Sequence, residues 1–204
     1  PRQAAGELGS ALDAGAVHPG AVVGVGVEGA LGLGAAHRRN GAQPFEDAGA
    51  VRDRPGNLPE HYALAKDRGW SMLTILAEGE TWWRDPAVFR YFDRLADDGF
   101  LEDFDRVIFY GAGAAGYAAA AYSITAPGAE LVLVAPRATL DPALAGWDSR
   151  HRVARRINFR SRYGYAPDMT ESASRVWLIH DPLHRPDAMH AALFARPWVT
   201  LLPC

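Results

Sequence analysis

One stretch decides the fold of this chain: residues 111–116 read GAGAAG. It follows a short apolar run, residues 107–110, which is typical of a buried strand. It precedes a run rich in alanine, residues 117–122, which favours a helix. A sharp glycine turn between a strand and a helix leaves backbone N–H groups at the amino end of the helix, where they can face a ligand.

Two kinds of site use such a turn. In the GxGxxG dinucleotide-binding motif, here Gly111, Gly113 and Gly116, the glycines let a pyrophosphate approach the amino end of the helix. In the GxSxG nucleophile elbow of α/β-hydrolases, the turn exposes a serine. Gly113 stands where that serine belongs, and glycine cannot attack a carbonyl. The choice is therefore between a cofactor site and a hydrolase scaffold without its nucleophile.

The cofactor interpretation gives Arg137 a role. Dinucleotide folds place an acidic residue or an arginine after the next strand, to bind the ribose or its 2′-phosphate. Here Arg137 follows the apolar run 131–134, which favours NADP over NAD. However, the rest of the chain is too short for a second half of such a fold together with a substrate domain. An NADP-dependent oxidoreductase or nucleotide-binding enzyme is therefore the alternative hypothesis.

Composition narrows the partners and the location. The chain has 204 residues, of which 49% are hydrophobic, and this fits one domain with a sizeable core. A net charge of −3 argues against a nucleic-acid partner, and no apolar run has the roughly 18–20 residues that a membrane helix needs. A single cysteine, Cys204, argues against disulfides and cysteine-rich metal sites. We expect a cytoplasmic protein without a metal.

Predicted strands and helices alternate along most of the chain. Apolar runs predict strands at the following positions: 70–76, 107–110, 131–134, 176–179 and 199–202. The segments between them predict helices at 85–97, 117–125, 150–156 and 186–194. This order predicts an α/β fold, a mostly parallel sheet with helices on both faces, in a three-layer core of the α/β-hydrolase kind.

We expect two parts in the chain. Residues 61–204 should form the core, which we expect to be incomplete at its C-terminus. Residues 1–60 should pack on it as a hairpin and a loop, because residues 21–27 alternate like a strand, Glu28-Gly29 suits a turn, and residues 37–60 are polar.

Short motifs spread over residues 70–202 carry a family resemblance. They are WWRDP at 82–86, YFD at 91–93, DGF at 98–100, FYG at 109–111, GYAA at 116–119, TLDP at 139–142, GWD at 146–148, RYGY at 162–165, DP at 181–182 and DAMHAALF at 187–194. In these motifs the chain resembles a group of alphaproteobacterial α/β-hydrolase-like proteins, often labelled phosphoadenosine phosphosulfate reductase. The resemblance implies a hydrolase core with a degenerate elbow at Gly113. The reductase label needs a serine- and glycine-rich phosphate loop, which the sequence does not contain.

A hydrolase triad also needs an acid and a base. The acid follows the strand predicted at 176–179, where the usual position falls on His184 and the neighbouring candidates are Asp181 and Asp187. Asp187 could instead be a first-turn charge of the next helix. We expect His190 on the surface of that helix, and the base would follow the last strand.

Other residues predict a binding site at the same turn. The backbone N–H groups of Ala114 and Gly79 could form an oxyanion hole that binds a carbonyl or an anion without cleaving it. Trp82 and Trp83 could line a pocket beside it, because aromatic side chains often do so.

An arginine-rich segment suggests a second surface. Arg152, Arg155 and Arg156 have helical spacing and would share one face, which could bind an anion or an acidic protein partner. They could equally form a solvated helix that pairs with acids such as Asp148.

The sequence therefore predicts an α/β-hydrolase-like protein that lacks a competent serine nucleophile. We expect it to bind a small acyl, sugar or anionic ligand, or a protein partner, and to need no cofactor. Whether the protein is an enzyme is left open by the residues, as are its ligand and its oligomeric state.

Overall fold

The structure is a computed structural model that describes the backbone of residues 21–22 and 40–204 and the side chains of residues 45–204. Its centre is an eight-stranded sheet in the order β1-β4-β2-β5-β6-β7-β8, with β3 paired to β2. The strands are β1 (Ala21–Val22), β2 (Asn40–Asp47), β3 (Ser71–Met72), β4 (Ile75–Ala77), β5 (Arg106–Ala112), β6 (Glu130–Val134), β7 (Arg175–His180) and β8 (Val199–Pro203). Only β1 pairs antiparallel, with β4. The predicted α/β fold with a mostly parallel sheet is confirmed.

Helices connect most of the strands. The α-helices are α1 (Ala48–Arg52), α2 (Tyr62–Asp67), α3 (Pro86–Asp97), α4 (Ala114–Tyr122), α5 (Pro142–Ala145) and α6 (Arg185–Leu193). Asp85 caps α3 by accepting a hydrogen bond from the Ala87 N–H at 2.7 Å, and Pro86 occupies its first turn. Within the described residues, none of these helices is long and apolar enough to cross a membrane.

The core lies mainly on one face of the sheet. Side chains of β5, β6 and β7 alternate between fully and partly buried, and Phe109, Leu131 and Leu178 point into the buried side. Helix α3 contributes Phe92 to this side, where its ring stacks on Tyr122 of α4 at 4.2 Å. Such stacked aromatic pairs add to the stabilisation that burial alone provides.

Helices also cover the other face. His61, which precedes α2, packs against Tyr110 of β5 with ring centroids 4.3 Å apart, and Tyr110 is one of the partly buried positions. This contact places the segment around α2 opposite α3 and α4, so the sheet has helices on both faces as predicted.

Helix α4 is buried along most of its length. Residues 117–122 are inaccessible to solvent, and four of these residues are alanines, whose small side chains let the helix approach the sheet closely. A helix that is apolar on all sides belongs in a core. The alanine-rich run therefore predicts both the helix and its burial.

Two sequence expectations need correction, and two others are not tested by the described residues. The loop predicted over 37–60 is wrong for residues 40–52, because Asn40–Asp47 form a central strand and Ala48–Arg52 a helix. The strand contains Gly41 and Pro44, and both residue types have a low strand propensity, so the sequence pattern did not predict it. The helix predicted at 150–156 is only one 3₁₀ turn, Ala154–Arg156. Beyond Ala21–Val22, the predicted hairpin lies outside the described residues. The division at residue 60 stays a prediction, although residues 40–47 belong to the sheet itself.

Phe92→Ala should lower the free energy of unfolding by about 3–5 kcal/mol, because it leaves a cavity where the ring stacks on Phe45 and Tyr122. Leu58→Ala, at a side chain that is 41% exposed, should change it by about 0.5 kcal/mol or less. Urea unfolding followed by circular dichroism measures both. Equal losses in the two variants would contradict this account of the core.

Candidate functional site

The turn between β5 and α4 is sharp, with Gly113 at its centre. Gly113 lies at φ 58° and ψ −116°, a conformation that side chains adopt only under strain. Its N–H donates to the carbonyl of Val134 at 2.9 Å, and its own carbonyl accepts from Tyr117 at 3.2 Å. A Cβ atom built at this position meets no atom within 4 Å. A side chain at position 113 would therefore point into open space at the carboxyl edge of the sheet.

The other two glycines of the turn serve internal packing. A Cβ atom on Gly111 would lie 2.3 Å from the carbonyl oxygen of Ala115, and one on Gly116 would lie 3.0 Å from Cβ of Pro136. The chain itself fills the space that these glycines leave, so their presence does not require a cofactor. Packing of this kind occurs in both types of turn, so these two glycines do not decide between them.

A cavity of about 250 Å³ lies beside the turn. It is lined by residues from the ends of β2 and β4, from the loop after β4, from the start of α4 and from the long segment between β6 and β7: Asp47, Ala77, Gly79, Glu80, Trp82, Trp83, Ala114 and His151. The carboxyl ends of parallel strands are the usual place for ligands in α/β folds. This cavity is the candidate site.

The two predicted oxyanion donors line the same cavity. Ala114 is the first residue of α4, and its N–H has no partner inside the helix, since the first intrahelical bond at this end is donated by Tyr117. Gly79 follows β4, which is separated from β5 by β2. In hydrolases the second donor comes from the loop between the third strand and its helix. In this sheet the strand beside β5 is β2, so Ala48 holds the corresponding place, and the role of Gly79 stays a prediction.

The two predicted aromatic residues also line the cavity, in an unusual conformation. Trp82 and Trp83 have φ values of 54° and 51°, although neither is glycine. Trp83 donates its indole N–H to the carbonyl of Ile75 at 2.9 Å, and its own carbonyl accepts from the Tyr122 hydroxyl. The Trp82 ring packs on His151 at 4.9 Å between centroids. Backbone strain of this kind persists only where neighbours hold it in place, and it is frequent at functional sites.

Arg84, which follows this pair, fixes the wall behind the cavity. Its guanidinium donates to the carbonyls of Asn158 and Arg162, at 2.8 and 2.7 Å, to the Ser161 hydroxyl at 2.7 Å and to the Tyr117 hydroxyl at 3.2 Å. The residue is 7% exposed, and within residues 45–204 it makes no ion pair with a carboxylate. It therefore ties the loop after β4 to the segment 158–162.

The two acid candidates have different surroundings, and only Asp187 is held by charged partners. Asp187 contacts Nη1 of Arg137 at 3.0 Å, Nη1 of Arg150 at 2.8 Å and Nδ1 of His184 at 2.8 Å. Burial opposes its ionisation, but Arg150 and Arg137 outweigh burial and hold the pKa of Asp187 below its usual range. Asp181 is exposed and accepts a hydrogen bond from the Leu183 N–H at 2.7 Å. The identity of a catalytic acid stays a prediction.

The prediction that His190 lies on the helix surface is wrong. Its side chain is fully buried, with Nε2 3.0 Å from Oδ2 of Asp148. Nδ1 accepts a hydrogen bond from the Ala138 N–H at 3.1 Å, so the proton sits on Nε2 and points at Asp148. Burial lowers the pKa of His190 to about 4, against the opposing effect of Asp148. The spacing of residues gave no signal for this pair, because Asp148 and His190 are brought together only by packing.

Arg137 does not have the free guanidinium that a 2′-phosphate would need. Its side chain is 11% exposed, and Nη1 donates to Asp187 and, at 2.6 Å, to the carbonyl of Ala135. Burial lowers the pKa of Arg137. The arrangement does not favour the NADP alternative.

His151 is a cavity residue that sequence reasoning missed. Its Nε2 atom is buried and has no hydrogen-bond partner. Burial, together with the charge of Arg137, lowers the pKa of His151, so the ring is neutral at pH 7. Among the described residues no group of three His, Cys, Asp or Glu side chains could hold a metal ion.

The predicted arginine face does not form on a helix. Arg152 and Arg156 are exposed, and Arg155 donates through Nη2 to the carbonyl of Gly146 at 3.1 Å. Asp148 pairs with Arg150 at 2.7 Å, outside this group. Whether Arg152, Arg155 and Arg156 bind an anion or an acidic partner stays a prediction.

Comparisons with known proteins add two distant structural likenesses. No protein-family model and no curated protein matches the chain. A carboxyl esterase 2 from the mycorrhizal fungus Tuber melanosporum has 11% identity and a TM-score of 0.49, over 82% of this chain and 67% of that one. The esterase domain of a Rhodothermus marinus protein has 13% identity and a TM-score of 0.42, over 80% and 75%. The mostly parallel sheet with helices on both faces is consistent with an α/β-hydrolase-like core.

Alanine substitutions should separate the two roles of glycine in the turn. Gly113→Ala should cost about 1–3 kcal/mol of stability, the cost of a strained φ alone, since its Cβ meets no atom. Gly111→Ala should cost more and could prevent folding, because Cβ would overlap the backbone of Ala115. Chemical denaturation of both variants provides the measurement. A Gly113→Ala variant that is less stable than Gly111→Ala would refute the assignment.

The buried His190 should make stability depend on pH. Its folded pKa of about 4 is below the usual value of 6.5, so the unfolded chain binds more protons between these values. Protonation of His190 in the unfolded chain should therefore lower the free energy of unfolding by about 2 kcal/mol between pH 7 and pH 4.5.

Urea unfolding of the wild type and of His190→Gln over this pH range tests the prediction. The depressed pKa of His151 acts in the same direction in both proteins, so the difference in slope isolates His190. Identical slopes would contradict it.

Proposed function

We propose that the protein is an α/β-hydrolase-like binding protein that lacks a competent serine nucleophile and holds a small acyl ligand in the cavity beside Gly113. One observation carries the proposal: position 113 has elbow geometry and open space for a side chain, yet holds glycine. A scaffold that keeps the turn without the nucleophile can still use the backbone donors that the turn exposes.

The lining of the cavity supports an acyl ligand. The free N–H of Ala114 lies at the amino end of α4, where the helix dipole favours a carbonyl or carboxyl oxygen. Ala77, Trp82 and Trp83 supply apolar surface for a short hydrocarbon group. A sugar, an anion or a protein partner remains a prediction from the sequence.

Two acidic side chains near the turn already have charged or hydrogen-bonding partners, and this supports binding without hydrolysis. Asp187 is held by two arginines, and Asp148 is fully buried against Arg150 and His190. A triad acid must instead hold a base histidine that faces the nucleophile. The NADP-dependent alternative has less support, because the guanidinium of Arg137 is already bound by Asp187 and by the carbonyl of Ala135.

Wild-type protein should bind methyl butyrate without hydrolysing it, and a fluorophosphonate probe should not label it. Gly113→Leu should weaken binding by about tenfold or more, because the side chain enters the open space beside the cavity. Ligand-observed NMR measures binding, and mass spectrometry detects labelling.

Gly113→Ala is the matched control, since it carries the same backbone strain without the bulk. It should bind within about threefold of the wild type. Hydrolysis or labelling of the wild type would refute the missing nucleophile. Equal binding by the leucine and alanine variants would exclude this cavity as the ligand site.

A further inference from the structure

The cavity beside Gly113 contains two carboxylates, Asp47 and Glu80, for which the described residues supply no ion pair. Asp47 accepts a hydrogen bond from the Ala50 N–H at 3.0 Å, and Glu80 is exposed. Within residues 45–204, neither side chain forms an ion pair. Both line the cavity, so a bound molecule would meet negative charge on this side.

The charged groups nearby do not offset these two carboxylates. Arg137 and Arg150 are balanced by Asp148 and Asp187, with which they form a compact network. Arg52 lies close enough to Asp47 to interact with its charge, but its ion pair is with Glu78.

Two remaining basic groups add no free charge to the cavity. Arg84 lies outside the lining, with its guanidinium 5.4 Å from the centroid of Phe159, whose ring packs against Trp82. The ring of His151 is neutral at pH 7, because burial lowers its pKa.

The lining also contains two indole side chains, Trp82 and Trp83, which are 3% and 5% exposed. Indole rings attract ammonium and quaternary ammonium groups. Ala114 supplies a free N–H at the amino end of α4, where an oxygen of the ligand is favoured. The cavity therefore offers a donor for oxygen on one wall and carboxylates with aromatic surface on others.

We propose that this cavity selects small acyl compounds that also carry a positively charged ammonium or quaternary ammonium group. The inference rests on the proposed function, because it assigns the ligand class of the same site. It disfavours the anionic ligand that the sequence left open. The cavity volume of about 250 Å³ restricts the ligand to a small molecule.

Acetylcholine and its uncharged isostere 3,3-dimethylbutyl acetate form a matched pair of probes, since they differ only by nitrogen in place of carbon. Ligand-observed NMR titration of the full chain at about 0.05 M salt measures both dissociation constants with limited screening. We expect acetylcholine to bind about fivefold or more tightly than the isostere.

Variants assign this preference to the carboxylates. Glu80→Gln should reduce the ratio of the two constants, and adding Asp47→Asn should bring it close to one; asparagine can still cap α1. Glu102→Gln is the control, because Glu102 is an exposed acid before β5, at the opposite edge of the sheet. It should leave the ratio unchanged.

Each result has one meaning. Equal binding of the two probes by the wild type would overturn the inference and leave the proposed acyl site intact. A preference that survives in the double variant would also overturn it, since the carboxylates would not be the cause. Absence of binding by both probes up to about 10 mM would refute the inference together with the proposed function.

Discussion

The candidate site depends on one buried cation, Arg84. Its hydrogen bonds go to neutral oxygens of Asn158, Ser161, Arg162 and Tyr117, so five N–H donors are satisfied by two segments that are far apart in sequence. A buried charge is tolerated only when its donors are satisfied, and removing such a group leaves buried acceptors without partners. Arg84 directly follows Trp82 and Trp83, and its contacts keep their strained backbone in place. The position of this cavity wall is therefore fixed by the need to satisfy the N–H donors of one buried guanidinium.

A second charge network fixes the opposite side. Arg137, Arg150, Asp148 and Asp187 connect the end of β6, the segment after α5 and the start of α6, and His190 joins them as a neutral donor. Here the opposite charges satisfy one another, and this arrangement fixes the excursion between β6 and β7 that brings His151 to the cavity.

Together these features place a sharp glycine turn beside a cavity whose walls are held by two polar networks. Gly113 keeps the positive φ of an elbow and avoids the strain that a serine would introduce there. The free N–H groups of α4 depend on the turn and not on the side chain. Under the proposed function, these N–H groups would bind an acyl oxygen, and the two carboxylates of the cavity would decide which acyl compound is preferred.

The sequence by itself determined the elements with strong local signals. The glycine turn, the helix capped by Asp85, the buried alanine helix and the strands β5 to β8 follow from hydrophobic patterns and capping chemistry, which act over a few neighbouring residues. Only the tertiary structure decided what depends on distant partners. Strand β2 contains Gly41 and Pro44 and forms because two parallel neighbours pair with it. The burial of His190 against Asp148, the contacts of Arg84 and the place of His151 in the cavity join residues from separate elements, and periodicity carries no information about such contacts.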